Sequence, residues 1–315
     1  MVWLILGIVM LLALLAVIGV SVVMFRATMM RPKQPMTYDG GGAVEWEETK
    51  RQIEEGKAWF MAQSPRRVYI QSFDGLKLAA WYLPHPQAVR SVICVHGYLS
   101  CGLQDYGAAI RYYYETGSNV LVIDQRSHGD SEGKYIGFGE QERWDLLRWI
   151  EWVNGACGAD FPLYLSGISM GSATVMMTLG LELPGNVRGA VADCGYSSLW
   201  EEFTHVMKTR YHLPPFPILY CAEFIARLVT KIDFRSVTAV QALEKAKVPV
   251  LFIHGGADSF VPAWMTTERN YPACRSQKKL IIVDRAEHGM SYSVERERCR
   301  QGLEWLLSRG MCNMK

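Results

Sequence analysis

Charge imbalance, internal repeats and metal-ligand spacing are all missing from this sequence, and each absence removes a class of function. Its 33 Lys and Arg against 31 Asp and Glu leave a formal net charge of +2 over 315 residues. With no basic excess, and no basic stripe interleaved with aromatics, there is no electrostatic footprint for nucleic acid, and none is expected as a partner. No repeat or low-complexity tract interrupts the chain, which argues against solenoids and disordered arrays. The eight cysteines, at 94, 101, 157, 194, 221, 274, 299 and 312, form no Cys-x-x-Cys pair and have no neighbouring histidines at metal-ligand spacing. No metal site is expected. Cys94 and Cys194 fall in apolar runs, where a free thiol packs as a small hydrophobe; this suits a reducing compartment better than a disulfide framework.

Charge is also absent locally, and here the absence is informative. Trp3 to Phe25 is a run of 23 residues without one, which as a helix is about 35 Å long and reaches across a bilayer. A cleaved signal peptide fits poorly, because no basic region precedes the run, the run is too long, and no small-x-small site follows it. Residues 1–28 are therefore expected to be a transmembrane anchor with the lipid bilayer as partner. Arg26, Arg31 and Lys33 lie just after the run, so the rest of the chain is expected on the cytoplasmic side of the cell membrane.

Residues 29–65 read as a linker and one amphipathic helix. Pro32, Pro35 and Gly40 to Gly42 make Met29 to Ala43 a spacer that cannot sustain a helix. From Val44 to Gln63, Trp46, Ile53 and Phe60 recur every seven residues on one helical stripe. That stripe is expected to pack on the main domain; mixed Glu and Lys on the polar face argue against a membrane-surface role.

Residues 66–315 form the main domain. Val68 to Phe73 and Leu76 to Leu83 alternate apolar and polar residues around Asp74-Gly75, which predicts an antiparallel hairpin at a sheet edge. Beyond it, Ser91 to Val95, Val120 to Asp124, Pro162 to Ser166, Val187 to Asp193, Val248 to His254 and Lys279 to Val283 are short apolar runs. Most are separated by helix-length segments, the pattern of an α/β fold with a mostly parallel sheet and helices on both faces. Residues at about 196–245 exceed a simple crossover and predict a helical cap insertion, with Trp200, Phe203, Phe224, Ile225 and Leu228 available for an apolar roof.

Five loops follow predicted strands, and open α/β sheets place their sites beyond the carboxyl ends of strands. The central one is Gly167-Ile-Ser-Met-Gly171, a strand-to-helix elbow that exposes the Ser169 hydroxyl; glycines are needed where strand and helix backbones approach closely. His96-Gly97-Tyr98 forms a turn able to aim the Tyr98 backbone N–H at a developing oxyanion, with the Met170 N–H as second donor. Asp258 follows Gly255-Gly256, and His288 precedes Gly289. The remaining loop, Asp124 to Gly133, has no unique chemical reading, and Asp124, Arg126 and His128 are taken as structural. Among alternatives, Asp284 and Glu287 crowd His288 in sequence, His96 and His254 sit in glycine turns, and Cys94 has no elbow.

Together these motifs resemble the α/β-hydrolase superfamily over roughly residues 66 to 310. More narrowly they are similar to its serine-aminopeptidase-like and prolyl-oligopeptidase-like branch, which includes membrane-anchored bacterial members. The matching elements are His96-Gly97, the Asp-x-Arg-x-His-Gly-x-Ser run from Asp124 to Ser131, the Ser169 elbow, Gly255-Gly-Ala-Asp258 with Val261-Pro262, and Glu287-His288-Gly289. Ser127 departs from the pattern, which commonly has glycine there. The resemblance implies acyl transfer to water without metal or organic cofactor: Ser169 as nucleophile, His288 as base, Asp258 orienting the imidazole. A small-molecule ester with an apolar acyl group is the expected substrate. The alternatives are a serine peptidase, with Glu201, Glu202 and Glu223 available in the cap, and an inactive membrane-tethered binding module.

Overall fold

The computed structural model describes residues 1–32 and 45–309. Of the expected spacer, Gly40 to Gly42 thus lie outside the described residues.

Two helices come first, α1 (Val2–Met29) and α2 (Trp46–Ala62), then the hairpin strands β1 (Arg66–Gln71) and β2 (Lys77–Leu83). The hairpin turn places Gly75 at φ 93°, which a residue with a Cβ adopts only under strain. Strands and helices then alternate through β3 (Arg90–Val95), α3 (Gly102–Glu115), β4 (Ser118–Ile123), α4 (Glu142–Cys157), β5 (Leu163–Ile168), α5 (Met170–Thr178) and β6 (Val187–Asp193). The cap follows as α6 (Leu199–Thr209), α7 (Ile218–Thr230) and α8 (Ala239–Leu243). β7 (Val250–Gly255) leads through a π-helical turn at Met265–Asn270 and the short α9 (Tyr271–Ala273) to β8 (Lys278–Val283), α10 (Ser291–Val294) and α11 (Arg296–Arg309).

The strands make one sheet in the order β1-β2-β4-β3-β5-β6-β7-β8. β2 is antiparallel to both neighbours, and every pairing from β4 across to β8 is parallel. Side chains alternate between the two faces, as the two-residue period of a strand requires. Ile93, Val95, Leu121 and Leu165 enter the core with α4, α5 and α8, while Val92, Cys94, Val120 and Tyr164 enter the one with α3 and α11. Because helices cover both faces, the central strands are apolar on both. β3 has β4 on one side and β5 on the other, so the crossovers diverge there and leave a crevice at the carboxyl ends of β3 and β5.

α2 belongs to the outer layer of this domain. A Cβ on Gly56 would lie 1.8 Å from the Gly107 carbonyl oxygen, so α2 and α3 pack backbone to backbone. Ile53 and Phe60 are buried in that contact and Trp46 is partly buried, which is the packing role expected of the stripe.

α1 is 28 residues long with mean hydropathy 3.0, long and apolar enough to cross a bilayer. Its carboxyl end does not lead into a free spacer. Met30 bridges Tyr135, the Ile136 N–H donates to Met29 O at 2.7 Å, and the Arg31 N–H donates to Lys134 O at 2.9 Å. The Arg31 guanidinium donates to Ser131 O and Gly129 O at 2.6 and 2.7 Å. The expectation of a spacer starting at Met29 is corrected here: proline and glycine content marks where a helix cannot continue, but says nothing about strand-like pairing of the residues that end it.

Candidate active site

Ser169 stands between β5 and α5 with φ 56° and ψ −120°, a left-handed backbone that costs a serine on the order of 1–3 kcal/mol. Close packing of the elbow maintains it. A Cβ on Gly167 would lie 2.3 Å from Gly171 O, and one on Gly171 would lie 2.0 Å from Val95 O, so only glycine fits either place. The Ser169 N–H also donates to Asp193 O at 2.9 Å.

The loops after β7 and β8 bring Asp258 and His288 to this serine. His288 Nε2 lies 2.8 Å from Ser169 Oγ, and His288 Nδ1 lies 2.7 Å from Asp258 Oδ2. With Nδ1 facing a carboxylate, the ring proton sits there and Nε2 is free to accept from the serine hydroxyl. Asp258 Oδ1 in turn accepts from the Phe260 and Val261 N–H groups at 3.0 and 2.9 Å. The three residues predicted for chemistry are thus joined in one hydrogen-bonded line. Glu287 is occupied with Ser259, whose N–H and hydroxyl lie 3.1 and 3.2 Å from Oε2, and Asp284 is exposed.

The loop after β3 lies against the elbow: a Cβ on Gly97 would meet Ser169 Cβ at 3.1 Å. Its path is fixed by the loop after β4, whose chemistry was not legible in sequence. The Gln125 N–H donates to His96 Nε2 at 3.0 Å, and the Gln125 side-chain amide donates to His96 O. The Leu99 N–H donates to His128 Nε2 at 3.1 Å, and the His96 and His128 rings meet edge to face 4.9 Å apart. Burial, reinforced by His96, pushes the His128 imidazole down to about 3, so it is neutral and serves as an acceptor. Asp124 pairs with Arg67, and Arg126 pairs with Asp145 at 2.6 Å. Ser127 has φ 63°, the backbone that glycine would take most easily at that place, and its hydroxyl donates to Tyr135 O at 2.8 Å.

A family model described as alpha/beta hydrolase fold matches residues 90–229. The sheet order and the elbow agree with it. The chain has the α/β-hydrolase fold. Its sequence is similar to the uncharacterized protein YqkD of Bacillus subtilis, 28% identical over 238 residues, covering 76% of this chain and 77% of that one. In structure the chain is similar to the Pyrococcus furiosus esterase Pf2001, with a TM-score of 0.64 at 22% identity over 90% of this chain and 98% of that one. It is also similar to the Pyrococcus horikoshii acylaminoacyl peptidase, with a TM-score of 0.58 at 16% identity over 78% of this chain and 41% of that one. These structures share the fold.

Several groups around the line have surroundings that the sequence did not reveal. His254 is fully buried; its Nδ1 faces the Thr266 hydroxyl at 2.7 Å, while its Nε2 faces Val261 O at 2.8 Å and Asp258 Oδ2 at 3.3 Å. With acceptors only at Nε2, that nitrogen carries the proton, and His254 braces the acid from behind. Burial works against charge on Asp258, but His288 and His254 outweigh it and hold the carboxyl well below the usual range. Burial likewise opposes charge on His288, yet Asp258, with Cys194, holds the imidazole well above its ordinary value.

Cys194 Sγ, Asp258 and His288 offer ligand atoms within 4.8 Å of one another. Burial pushes the Cys194 thiol up to about 11, and both His288 nitrogens are engaged, so the donor set suits the hydrogen-bonded line better than a cation. The seven cysteines among the described residues are all free. In the cap, Glu201 reaches Ser197 and Arg269, and Glu223 reaches Arg235. Glu202 differs: it is buried on the inner side of α6, and neither carboxyl oxygen has a hydrogen-bond partner. Burial raises it to about 8, with His288 opposing that shift and Asp258 adding to it.

Proposed function

We propose that this chain is a membrane-anchored serine hydrolase of carboxylic esters that works through an acyl-enzyme. The observation that carries the reading is the continuous line Ser169 Oγ, His288 and Asp258 at the carboxyl ends of parallel strands. Ser169 attacks the ester carbonyl while His288 takes its proton, and Asp258 stabilises the imidazolium that forms. The proton then passes to the departing alkoxide. A water, deprotonated by the same imidazole, releases the acid. The Tyr98 and Met170 N–H groups receive the oxyanion; among the described residues neither N–H donates to a backbone carbonyl, which leaves both available for that task.

An acyl group is favoured by the apolar cluster that joins Met170 and Leu99 to Phe138, Tyr196 and Phe234 beneath the cap. One observation favours a second reading, a peptidase acting on amine-bearing substrates. With Glu201 and Glu223 already paired, Glu202 is the buried cap carboxyl with neither oxygen partnered, and an amine reaching it would supply the missing partner. In this reading α1 is the anchor, supported by its length and hydropathy, and the charges after it favour the cytoplasmic side for the domain.

Membranes carrying the full chain, treated with a fluorophosphonate, test the nucleophile. Labelling is expected in the wild type and lost in Ser169→Ala; a folded wild type that stays unlabelled would end the assignment. A chain-length series of p-nitrophenyl esters beside aminoacyl naphthylamides then separates the two readings. Turnover confined to the amides would favour the peptidase.

A further inference from the structure

Along α1, Val17, Ser21, Met24, Phe25, Thr28 and Met29 face the protein, while the residues between them are exposed. This stripe runs for about 18 Å. Its first part lies inside the charge-free run that ends at Phe25, and there it meets the cap. Ser21 Oγ reaches Val17 O at 2.8 Å and Ile218 O at 3.0 Å, so α1 and the start of α7 touch. Ser21 precedes Arg26 by five residues, or about 7.5 Å along the helix. The start of α7 is therefore carried that far inside the first charge that closes the apolar run.

α7 has two apolar sides. Leu219, Ala222, Ala226 and Thr230 are buried against the protein. Tyr220, Phe224 and Leu228 recur every four residues on the outer side and continue the exposed Phe216; Phe216, Phe224 and Leu228 are 69%, 62% and 61% exposed, so Phe224 and Leu228 do not belong to the apolar roof expected of them and lie away from the substrate side. Of the two charges between them, Glu223 pairs with Arg235 at 3.2 Å and Arg227 turns to Asp233 at 2.8 Å. At the edge of the stripe, the Arg235 guanidinium lies 3.5 Å from the Trp200 ring centroid and 4.8 Å from that of Tyr220. An amphipathic pair of aromatic and cationic groups bordering an apolar stripe is the arrangement of a membrane interface.

We infer that the outer stripe of α7 is a lipid-contacting surface, so that the cap lies in the headgroup–acyl boundary beside α1. The inference rests on the proposed anchoring of α1. The occupant is lipid because the stripe is continuous with the apolar helix and shares its depth. A depth of about 7.5 Å agrees with the 5–10 Å to which interfacial helices sink. Large apolar side chains left in water along one helix face mark an interaction surface, and burying each is worth about 1.5–3 kcal/mol. An ester held in the bilayer then reaches the cap without crossing water.

The test uses the full chain in vesicles of phosphatidylcholine and phosphatidylglycerol. A fluorescent amino acid at position 224, or at the distant exposed position 247 as control, is read against lipids carrying nitroxides just below the headgroup. Strong quenching at 224 and none at 247 is expected. Phe224→Asp combined with Leu228→Asp should leave hydrolysis of a water-soluble short ester unchanged and slow that of a vesicle-borne long-chain ester by about tenfold or more. Protein that resists alkaline carbonate extraction yet shows no quenching at 224 keeps the anchor and overturns the surface. Release by carbonate removes both. Cross-linking of position 224 between two copies, without quenching, assigns the stripe to a dimer and also overturns the inference.

Discussion

Below Ser169 and above it, the chain is held by different forces. Below, backbones touch at Gly167 and Gly171, and His96, Gln125, His128 and His254 tie neighbouring loops by buried hydrogen bonds. Above, the cap rests on rings packed edge to face, Phe203 on Phe138 at 5.2 Å and on Phe234 at 5.1 Å, and it leaves Glu202 without a partner. The lower half is a frame whose geometry tolerates little error. The upper half is an adaptable apolar cover. Chemistry is therefore expected to fail steeply when the frame is altered, and substrate choice or stability to shift gently when the cover is.

The largest effect expected beyond Ser169 itself is at Asp258. Asp258→Asn should lower kcat by about 10⁴-fold with the fold intact by circular dichroism. The carboxylate holds the His288 pKa above its ordinary value, so the acid limb of kcat/KM should move to lower pH in the variant. A limb that stays in place would mean that Asp258 does not tune the base. Next in size is the brace of the oxyanion loop. His128→Leu removes the acceptor for the Leu99 N–H and should lower kcat by about 10- to 100-fold, with KM little changed. His128→Gln, which retains an acceptor, should recover part of the loss; since His128 is neutral, neither variant should alter the pH profile.

The smallest effect belongs to the cover. Glu202 is raised by burial to about 8, so between its ordinary value and 8 the folded chain keeps a proton that the unfolded chain has lost. Its contribution to stability is full at low pH and declines as pH rises through that window. Glu202→Gln should flatten this decline between pH 5 and 8, as read from denaturant midpoints at the two pH values. Equal midpoints for wild type and variant at both would show that Glu202 is not buried in solution.

The sheet was legible because its strands are covered on both faces, so each appears as an apolar run bounded by glycine or charge. Ser169, Asp258 and His288 were legible because each follows such a run, and the fold sends those loops to one end. The braces were not. His254 looked like part of a glycine turn, and its contact with Asp258 Oδ2 depends on how β7 returns over the loop that follows it. The His96–Gln125 hydrogen bond joins residues 29 positions apart, and the His128 ring meets the same imidazole, pairings that no local period encodes. The docking of α1 was hidden for the opposite reason: its sequence is apolar all round, and only Ser21 departs from that on the side that meets α7.

On the proposed anchoring of α1, the pairing of Met30 with Tyr135 and the clasp of Arg31 on Gly129 and Ser131 have a kinetic consequence. A catalytic unit on a loose leash tumbles and samples the solution around it. One clamped to its own helix keeps a single orientation to the membrane and moves only by gliding in its plane. Encounters then become a two-dimensional search, and turnover follows the mole fraction of substrate at the surface rather than its concentration in bulk.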